Sequence, residues 1–156
     1  MTGTAPLPAD VAAYLAEHHV MTLATQGAAG PWAAAVFYAW DGASLIFLSS
    51  AKTRHAIDLA ADPRCAATIQ EDYSDWARIK GIQLEGAVAR LSGTDEAEAR
   101  RQYGEKFPIA RPLAKLPPAI VEAFARVNWY RLTPSRMYFI DNSKGFGHRN
   151  EIALGG

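Results

Sequence analysis

The segment Ile79–Leu91, with the sequence IKGIQLEGAVARL, predicts one long β-strand that carries two internal glycines. Glycine inside a strand often marks a bulge or a bend at which a sheet curls. We therefore expect bulges or bends at Gly81 and Gly86. Because a curling sheet can close on itself, this segment favours a barrel.

The chain on either side of this segment adds shorter strands. Asp41-Gly42 favours the positive φ angles of a tight hairpin, so the strands that flank it are expected to pair with each other. Pro134 is expected to separate the last two strands of the chain. The predicted strands are Val20–Thr25, Trp32–Trp40, Ser44–Ser49, Cys65–Gln70, Trp129–Leu132 and Arg136–Ile140.

Short helices are predicted as separate inserts between the strands. Asp62-Pro63 ends one of them, because the residue before a proline is driven out of the helical region. Thr94 is expected to cap another, whose first turn carries acidic residues that suit the helix dipole. The predicted helices are a short one within residues 1–19, Thr53–Ala61, Thr94 to about Phe107, and Ala119–Val127, with Pro108, Pro112, Pro117 and Pro118 interrupting the chain between the last two.

The order of these elements indicates a single domain over residues 1–156. Six or seven strands with separate helical inserts favour an antiparallel barrel of the α+β class, mainly β, over a doubly wound sheet. No internal repeat or linker indicates a second domain. Residues 141–156 are a polar, glycine-bearing segment, and we expect either a free tail or a loop that closes over a ligand.

Composition argues against several classes of protein. Sixteen Lys and Arg balance sixteen Asp and Glu, which disfavours a dedicated nucleic-acid or membrane-surface binder. The one cysteine, Cys65, cannot form an internal disulfide, which indicates a reducing compartment. Residues 1–10 lack the basic start of a signal peptide, and the longest apolar run is about half the length of a membrane helix. We therefore expect a cytoplasmic protein.

The segment Ser49–His55, with the sequence SSAKTRH, is the strongest candidate site. It leaves a predicted strand and opens a predicted helix, so hydroxyls, two fixed cations and the unpaired amides of a helix start lie within one turn. Proteins hold phosphate groups with this combination. The alternative is a structural turn in which Thr53 or Ser50 caps the helix while Lys52 and Arg54 are solvated.

Other site chemistries find little support in the sequence. Gly145-Phe146-Gly147 lacks the third glycine of a dinucleotide-binding fingerprint, and no Gly-x-Ser-x-Gly element of a hydrolase is present. No two histidines have metal-ligand spacing on one element, so no metal site is expected from Cys65 or from His18, His19, His55 and His148. Cys65 itself is expected to be a small buried apolar residue.

On these residues the chain resembles the pyridoxamine 5'-phosphate oxidase-like family of flavin-binding split barrels, from Val20 to about Arg149. Met21–Thr25 followed by Gly30-Pro31 looks like the first hairpin of that family. Phe47–Ser50 followed by Thr53–His55 resembles its phosphate-binding turn. Further similarity lies in Asp62–Arg64, in Ile82–Val88 and in Tyr130–Pro134.

The resemblance implies a homodimer of split barrels with FMN bound in clefts at the subunit interface. The turn would hold the phosphate, the backbone of residues 35–37 would lie beside the flavin ring, and Arg149 would reach the polar edge of the ring across the dimer. Trp76 and Trp129 could cover the ring or pack in a core. The implied cofactor-binding residues are Ala35, Val36, Phe37, Ser49, Ser50, Lys52, Thr53, Arg54, His55 (where the family often has lysine) and Arg149.

Departures from the family pattern argue against vitamin B6 oxidation. Ala33 and Tyr38 stand where true pyridoxamine phosphate oxidases carry flavin-binding cations, and Gly81 replaces a strand glutamine. Gly145–Gly147 replaces the Arg-Leu-His segment that binds substrate in those enzymes. A pyridoxal phosphate substrate therefore has no evident anchor in this chain.

The expected function is an FMN-dependent oxidoreductase or flavin reductase-like protein that acts on an unidentified small molecule. A nicotinamide nucleotide or a small organic molecule would be the hydride donor, and no side chain is required as an acid or base. A haem-binding or haem-handling protein on the same scaffold is one alternative, and a deazaflavin is another possible occupant. A non-catalytic module that senses a flavin or phosphate metabolite is the third interpretation.

Overall fold

The computed structural model describes residues 5–108 and 116–155, and Pro112 lies outside them. The described residues form one β-sheet and four α-helices. The strands are β1 (Val20–Gly27), β2 (Gly30–Phe37), β3 (Ala39–Trp40), β4 (Leu45–Ser49), β5 (Arg64–Ile69), β6 (Lys80–Arg90), β7 (Asn128–Asp141) and β8 (Arg149–Glu151). The helices are α1 (Ala9–Glu17), α2 (Arg54–Ala61), α3 (Gly93–Lys106) and α4 (Pro118–Arg126).

All strand pairs in this sheet are antiparallel, in the order β2, β1, β5, β6, β7, β4 and β3, with β8 added at the end of β7. Strands β2 and β3 follow each other in the chain but lie at opposite edges of the sheet. The sheet curls so far that β2 comes close to β4. Across residues 5–108 and 116–155 no strand pairing joins β2 to β4, so the barrel is split there. The predicted fold class, an antiparallel and mainly β split barrel, is confirmed.

The bend predicted at Gly86 is present. The pairing of β6 with β7 shifts register at this point, because Glu85 faces Arg136 whereas Gly86 faces Pro134. A Cβ on Gly86 would lie 2.1 Å from the carbonyl oxygen of Thr133, so only glycine allows the two backbones to approach this closely. Gly81 faces Ile140 in regular register, and the bulge expected there is absent.

The prediction of two separate strands around Pro134 is wrong, because β7 runs without a break from Asn128 to Asp141. Proline cannot donate a backbone hydrogen bond, which is why it was expected to end a strand. Here Pro134 lies at the bulge, where the ladder is already interrupted and the missing N–H breaks no regular bond.

The hairpin predicted around Asp41-Gly42 is much shorter than expected. Only Ala39 and Trp40 pair with β4, whereas residues 30–37 form β2 and pair with β1 along its whole length. The strand is interrupted at Tyr38, between β2 and β3. The amide of Tyr38 donates to the carbonyl of His19, and its buried ring points into the core. The apolar run 32–40 therefore contributes residues to strands at both edges of the sheet.

Two predictions about element ends are also corrected. Helix α3 begins at Gly93, and the carbonyl of Ser92 accepts the first helical bond from Glu96, so Thr94 lies inside the first turn and is not the cap.

The segment after Asp141 is not a free tail. It forms a short 3₁₀ turn at Asn142–Lys144 and then β8, and the side chain of Ile152 is buried against the core.

The main core fills the barrel and is covered by α1 and α2, while a second cluster lies under α3. Lys106 at the end of α3 connects α3 with the C-terminal end of α1 and with the ring of Tyr38. Its ammonium donates to the carbonyl of Leu15 over 3.0 Å and to that of His18, and it lies 4.0 Å above the ring of Tyr38. A cation at these C-terminal carbonyls is favourable for the dipole of α1. In the described residues, no helix combines the length and the apolar character that a membrane crossing needs.

Candidate functional site

The turn between β4 and α2 is built by its own side chains. Thr53 is the N-cap of α2, and its hydroxyl oxygen accepts from the amide of Ala56 over 3.3 Å. The same hydroxyl donates to the carbonyl of Ser50 over 2.9 Å, and the amide of Lys52 donates to the hydroxyl of Ser50 over 3.3 Å. These hydrogen bonds fix the conformation of the turn at the start of α2. The side chain of Lys52 is exposed.

Three polar side chains meet beneath this turn. The hydroxyl of Ser49 lies 2.7 Å from Nε2 of His55 and 3.1 Å from the hydroxyl of Thr53, and the last two are 3.3 Å apart. Ser49 and His55 are each only 8% exposed. Burial lowers the pKa of the His55 imidazole, and the Asp58 carboxylate opposes part of this effect. The lowered pKa favours the neutral imidazole at neutral pH, and its Nε2 donates to or accepts from these hydroxyls according to the tautomer.

Helix α2 is positioned by a carboxylate that the sequence analysis did not identify. Asp58 is 5% exposed, and its carboxylate accepts a 2.8 Å hydrogen bond from the hydroxyl of Thr25 at the end of β1. A Cβ on Gly27 would lie 1.9 Å from Oδ1 of Asp58, so the carboxylate fits there only because Gly27 has no side chain. The spacing of Asp58 from His55, three residues along one helix, was the available signal.

Arg54 is not simply solvated, as the structural alternative supposed. Its guanidinium lies 4.3 Å above the ring of Trp32 and donates to the carbonyl of Ala29 over 3.2 Å. Its Nε atom is buried and has no hydrogen-bond partner among the described residues. Stacking on Trp32 orients the guanidinium, and the bond to Ala29 uses one of its five N–H donors, so others remain for an acceptor.

Residues 35–37 form the last part of β2, directly beside the split. Ala35 and Phe37 are exposed, whereas Val36 packs against the core. Because β2 is an edge strand, only one of its sides is occupied by the ladder with β1, and alternate amides face outward. A planar ring could lie against this edge without contacting a long side chain.

Arg149 lies far from the turn within one chain. It faces Ile140 near the end of β7, whereas Ser49 faces Asn128 at the start of the same strand. That separation corresponds to about 40 Å of strand. The guanidinium of Arg149 packs 4.4 Å from the ring of Tyr138. The structure thus brings the predicted residues 49–55 together and leaves Arg149 apart from them.

The two tryptophans considered as covers for a ring differ in their surroundings. Trp129 is 2% exposed in the cluster under α3, so it packs in a core and cannot cover a ligand. Trp76 is 69% exposed, and its ring lies 5.6 Å from that of Phe146, which is 83% exposed. Asn142 holds this aromatic pair in place, since its side chain donates to the carbonyl of Trp76 and accepts from the amide of Gly147.

The remaining histidines and the cysteine do not converge on a metal site. Both ring nitrogens of His18 have partners, the carbonyl of Tyr14 at 2.8 Å and the carboxylate of Glu71 at 2.7 Å. Burial raises the pKa of the Cys65 thiol to about 11. Within residues 5–108 and 116–155, no three His, Cys, Asp or Glu side chains are grouped so that they could hold a metal ion.

Two cavities lie near these elements. One of about 340 Å³ runs along α2 from Ala51 past Ile57 to Val88 and Tyr130, and it is mostly apolar. The other, of about 470 Å³, is polar, lies between α1 and the loop before β6, and contains none of the predicted site residues. The cavity at α2 begins at the candidate turn and is therefore the one associated with it.

Comparison with known proteins gives a family and a fold. The family model described as pyridoxamine 5'-phosphate oxidase matches residues 7–141. A UPF0306 protein of Enterobacter sp. (strain 638) is 33% identical over 138 residues, which cover 87% of this chain and 89% of that protein. The UPF0306 protein YhbP of Escherichia coli O157:H7 (strain EC4115 / EHEC) is 32% identical over 141 residues, which cover 89% of this chain and 88% of the relative.

Three solved structures illustrate the fold. A heme binding protein from Mycobacterium smegmatis has a TM-score of 0.70 at 24% identity, and the match covers 92% of this chain but only 56% of that one. HutZ, a heme storage protein from Vibrio cholerae, has a TM-score of 0.67 at 19% identity, with 85% and 94% covered. A FAD-binding protein from Mesorhizobium loti has a TM-score of 0.63 at 16% identity, with 96% and 98% covered. At these identities the likeness concerns the fold alone.

Proposed function

Since the chain belongs to the pyridoxamine 5'-phosphate oxidase-like family of split barrels, we propose that it binds FMN and acts as an oxidoreductase or flavin reductase-like protein on a small molecule. A bound flavin supplies a hydride acceptor, and a nicotinamide nucleotide or a small organic molecule would be the donor. The protein would bind, orient and shield the cofactor. In keeping with the single buried Cys65, we place this activity in the cytoplasm.

The observation that carries the proposal is the polar cluster of Ser49, Thr53 and His55 beneath the start of α2. Two hydroxyls and an imidazole lie within 3.3 Å of one another at a helix start, where backbone amides lack intrahelical partners. Lys52 and Arg54 add two fixed positive charges to the same turn. A phosphate monoester fits this donor set, and Ser50 stands at the rim of the same turn.

The flavin ring would lie along the edge of β2, against the backbone of Ala35, Val36 and Phe37. Main-chain amides would then contact the polar edge of the ring without a dedicated side chain. Arg149 cannot reach the turn of its own chain, because about 40 Å of β7 separate them. We therefore place Arg149 at the flavin of a second protomer, in a homodimer with two equivalent sites.

Vitamin B6 oxidation is not part of the proposal. Ala33 and Tyr38 supply no cation, and Tyr38 is fully buried with its hydroxyl donating to the carbonyl of Leu15. Gly145 and Gly147 both have positive φ and shape the turn before β8, so this segment has a structural role in place of a phosphate-binding arginine. The substrate would lack a second phosphate anchor.

The absorption spectrum of the purified protein tests this function. We expect flavin bands in the protein as isolated or after addition of FMN, together with quenching of FMN fluorescence. The proposal fails if the colourless protein neither quenches added FMN nor shifts its spectrum. Steady-state oxidation of NADH or NADPH by the FMN-loaded protein then separates an enzyme from a non-catalytic flavin-sensing module.

A haem-binding protein is the second candidate function. The positions of the four histidines indicate which of them could be the axial ligand. His18 and His55 are engaged by Glu71 and Ser49, so an axial ligand would come from His19 or His148. His148 lies on the turn beside the exposed ring of Phe146. A Soret band on haem addition that is lost in His148→Ala or His19→Ala would support haem binding. If the Soret band persists in both variants, neither His148 nor His19 is the axial ligand.

A further inference from the structure

We propose that His55 is a proton-accepting phosphate ligand, so that binding of a phosphate monoester at the turn is coupled to uptake of a proton by this imidazole. The inference rests on the proposed function and deepens it, because it assigns a charge change to one residue of the site.

The hydrogen bonds of the turn in this structure are satisfied with a neutral imidazole. The hydroxyl proton of Thr53 is committed to the carbonyl of Ser50 at 2.9 Å. The hydroxyl of Ser49 can donate either to Nε2 of His55 at 2.7 Å or to the oxygen of Thr53 at 3.1 Å. A neutral imidazole that accepts at Nε2 therefore completes the cluster without any net charge.

An anion changes this balance. A phosphoryl group at the start of α2 draws the hydroxyl protons of Ser49 and Thr53 toward its own oxygens, because hydrogen bonds to a charged acceptor are the stronger ones. The Ser49 oxygen then presents only lone pairs to Nε2 of His55. The imidazole must carry a proton on Nε2 to keep this 2.7 Å contact.

Two ways of placing that proton are available, and the surroundings of His55 favour ionisation. A shift of the single proton from Nδ1 to Nε2 would leave the ring neutral, whereas uptake of a second proton makes it an imidazolium. Asp58 acts on the ring from the next turn of α2, and the bound phosphate would add further negative charge beside it. Both stabilise the imidazolium.

Among the described residues, Asp58 is the charged side chain that acts on the His55 ring in this structure. Strands β1 and β4 present hydroxyls toward this region, not charges, through Thr25 and Ser49. Arg54 stacks on Trp32 and Lys52 is exposed to solvent, so both cations would hold the phosphate while their described contacts are with groups other than the His55 ring. Arg90 of β6 lies across the cavity that borders Ala56. Burial lowers the pKa of His55 and so favours its neutral form in this structure, which leaves its charge to respond to the ligand.

Titration calorimetry with FMN at pH 7.5, in buffers of equal pH but different ionisation enthalpy, measures this coupling. FMN is then mostly dianionic, since the second pKa of a phosphate monoester is about 6, and it takes up little proton itself. We expect uptake approaching about one proton per FMN in the wild-type chain. His55→Gln keeps a polar side chain that does not titrate, and it should bind FMN with uptake near zero. His18→Gln, at a histidine outside the turn that pairs with Glu71, should retain the wild-type uptake.

The proposal is overturned if wild-type binding takes up no proton, or if His55→Gln takes up as much as the wild type. If FMN does not bind, the flavin proposal fails separately, and inorganic phosphate becomes the probe. The ¹⁵N shifts of His55 should then change to those of an imidazolium when phosphate saturates the turn. A neutral His55 with phosphate bound, or no phosphate binding at all, overturns the inference.

Discussion

The carboxylate of Asp58 accepts a 2.8 Å hydrogen bond from the hydroxyl of Thr25, and both side chains are buried. This contact joins the middle of α2 to the end of β1 through two residues that are 33 positions apart in the chain. It fixes the direction of α2, and with it the position of the turn that carries Ser49, Thr53 and His55.

Thr25→Val removes this hydroxyl and keeps the shape of the side chain. The buried Asp58 carboxylate then loses its partner, so we expect the free energy of unfolding to fall by about 1–3 kcal/mol. Urea denaturation followed by circular dichroism measures the change. Thr22→Val on the same strand is the control and should cost less. Equal stability of Thr25→Val and the wild type would show that the contact does not hold α2.

Arg54→Ala removes the guanidinium that is oriented by Trp32. The loss of a charge-assisted phosphate contact should weaken FMN binding by about 1.5–3 kcal/mol, which is 10- to 150-fold. Fluorescence quenching by added protein gives the dissociation constant. Arg64→Ala is the matched control, because Arg64 is exposed and paired with Asp62. An unchanged affinity in Arg54→Ala contradicts its assigned role.

A mixed dimer tests whether Arg149 acts across the interface. In a dimer of one Arg54→Ala protomer and one Arg149→Ala protomer, an action across the interface leaves one site with both arginines and one with neither. We expect one FMN per dimer to bind with wild-type affinity, measured on a tandem-tagged heterodimer. Two sites of reduced affinity, one lacking Arg54 and the other lacking Arg149, would show that Arg149 acts in its own chain.

The acid limb of the stability curve tests the neutral state of His55. Because burial lowers its pKa in the folded protein, the unfolded chain binds more protons in acid. The corresponding stability is fully present above the unfolded pKa of about 6.5 and is lost as the pH falls through the lower folded pKa. His55→Gln should flatten this part of a urea-midpoint curve measured without ligand. If the urea midpoint falls with pH equally steeply in both proteins, groups other than His55 cause the acid sensitivity.

Local sequence was sufficient to predict the turn from a strand into a helix at Ser49–His55, because the residues that form it are neighbours in the chain. The same applies to the bend at Gly86, which follows from one glycine in a long strand. The relationships that sequence could not provide connect distant residues. Thr25 with Asp58, Trp32 with Arg54, and the pairing of β2 with β1 all depend on which strands become neighbours, and the apolar run 32–40 fits either edge of the sheet.

The most direct test of the central claim compares the dissociation constants of FMN and riboflavin, which differ only in the phosphate group. If the turn at Ser49–His55 holds that phosphate, FMN should bind at least about 100-fold more tightly, and Arg54→Ala should narrow the difference. Equal affinities for the two flavins would contradict the account, because the turn would then contribute nothing to binding.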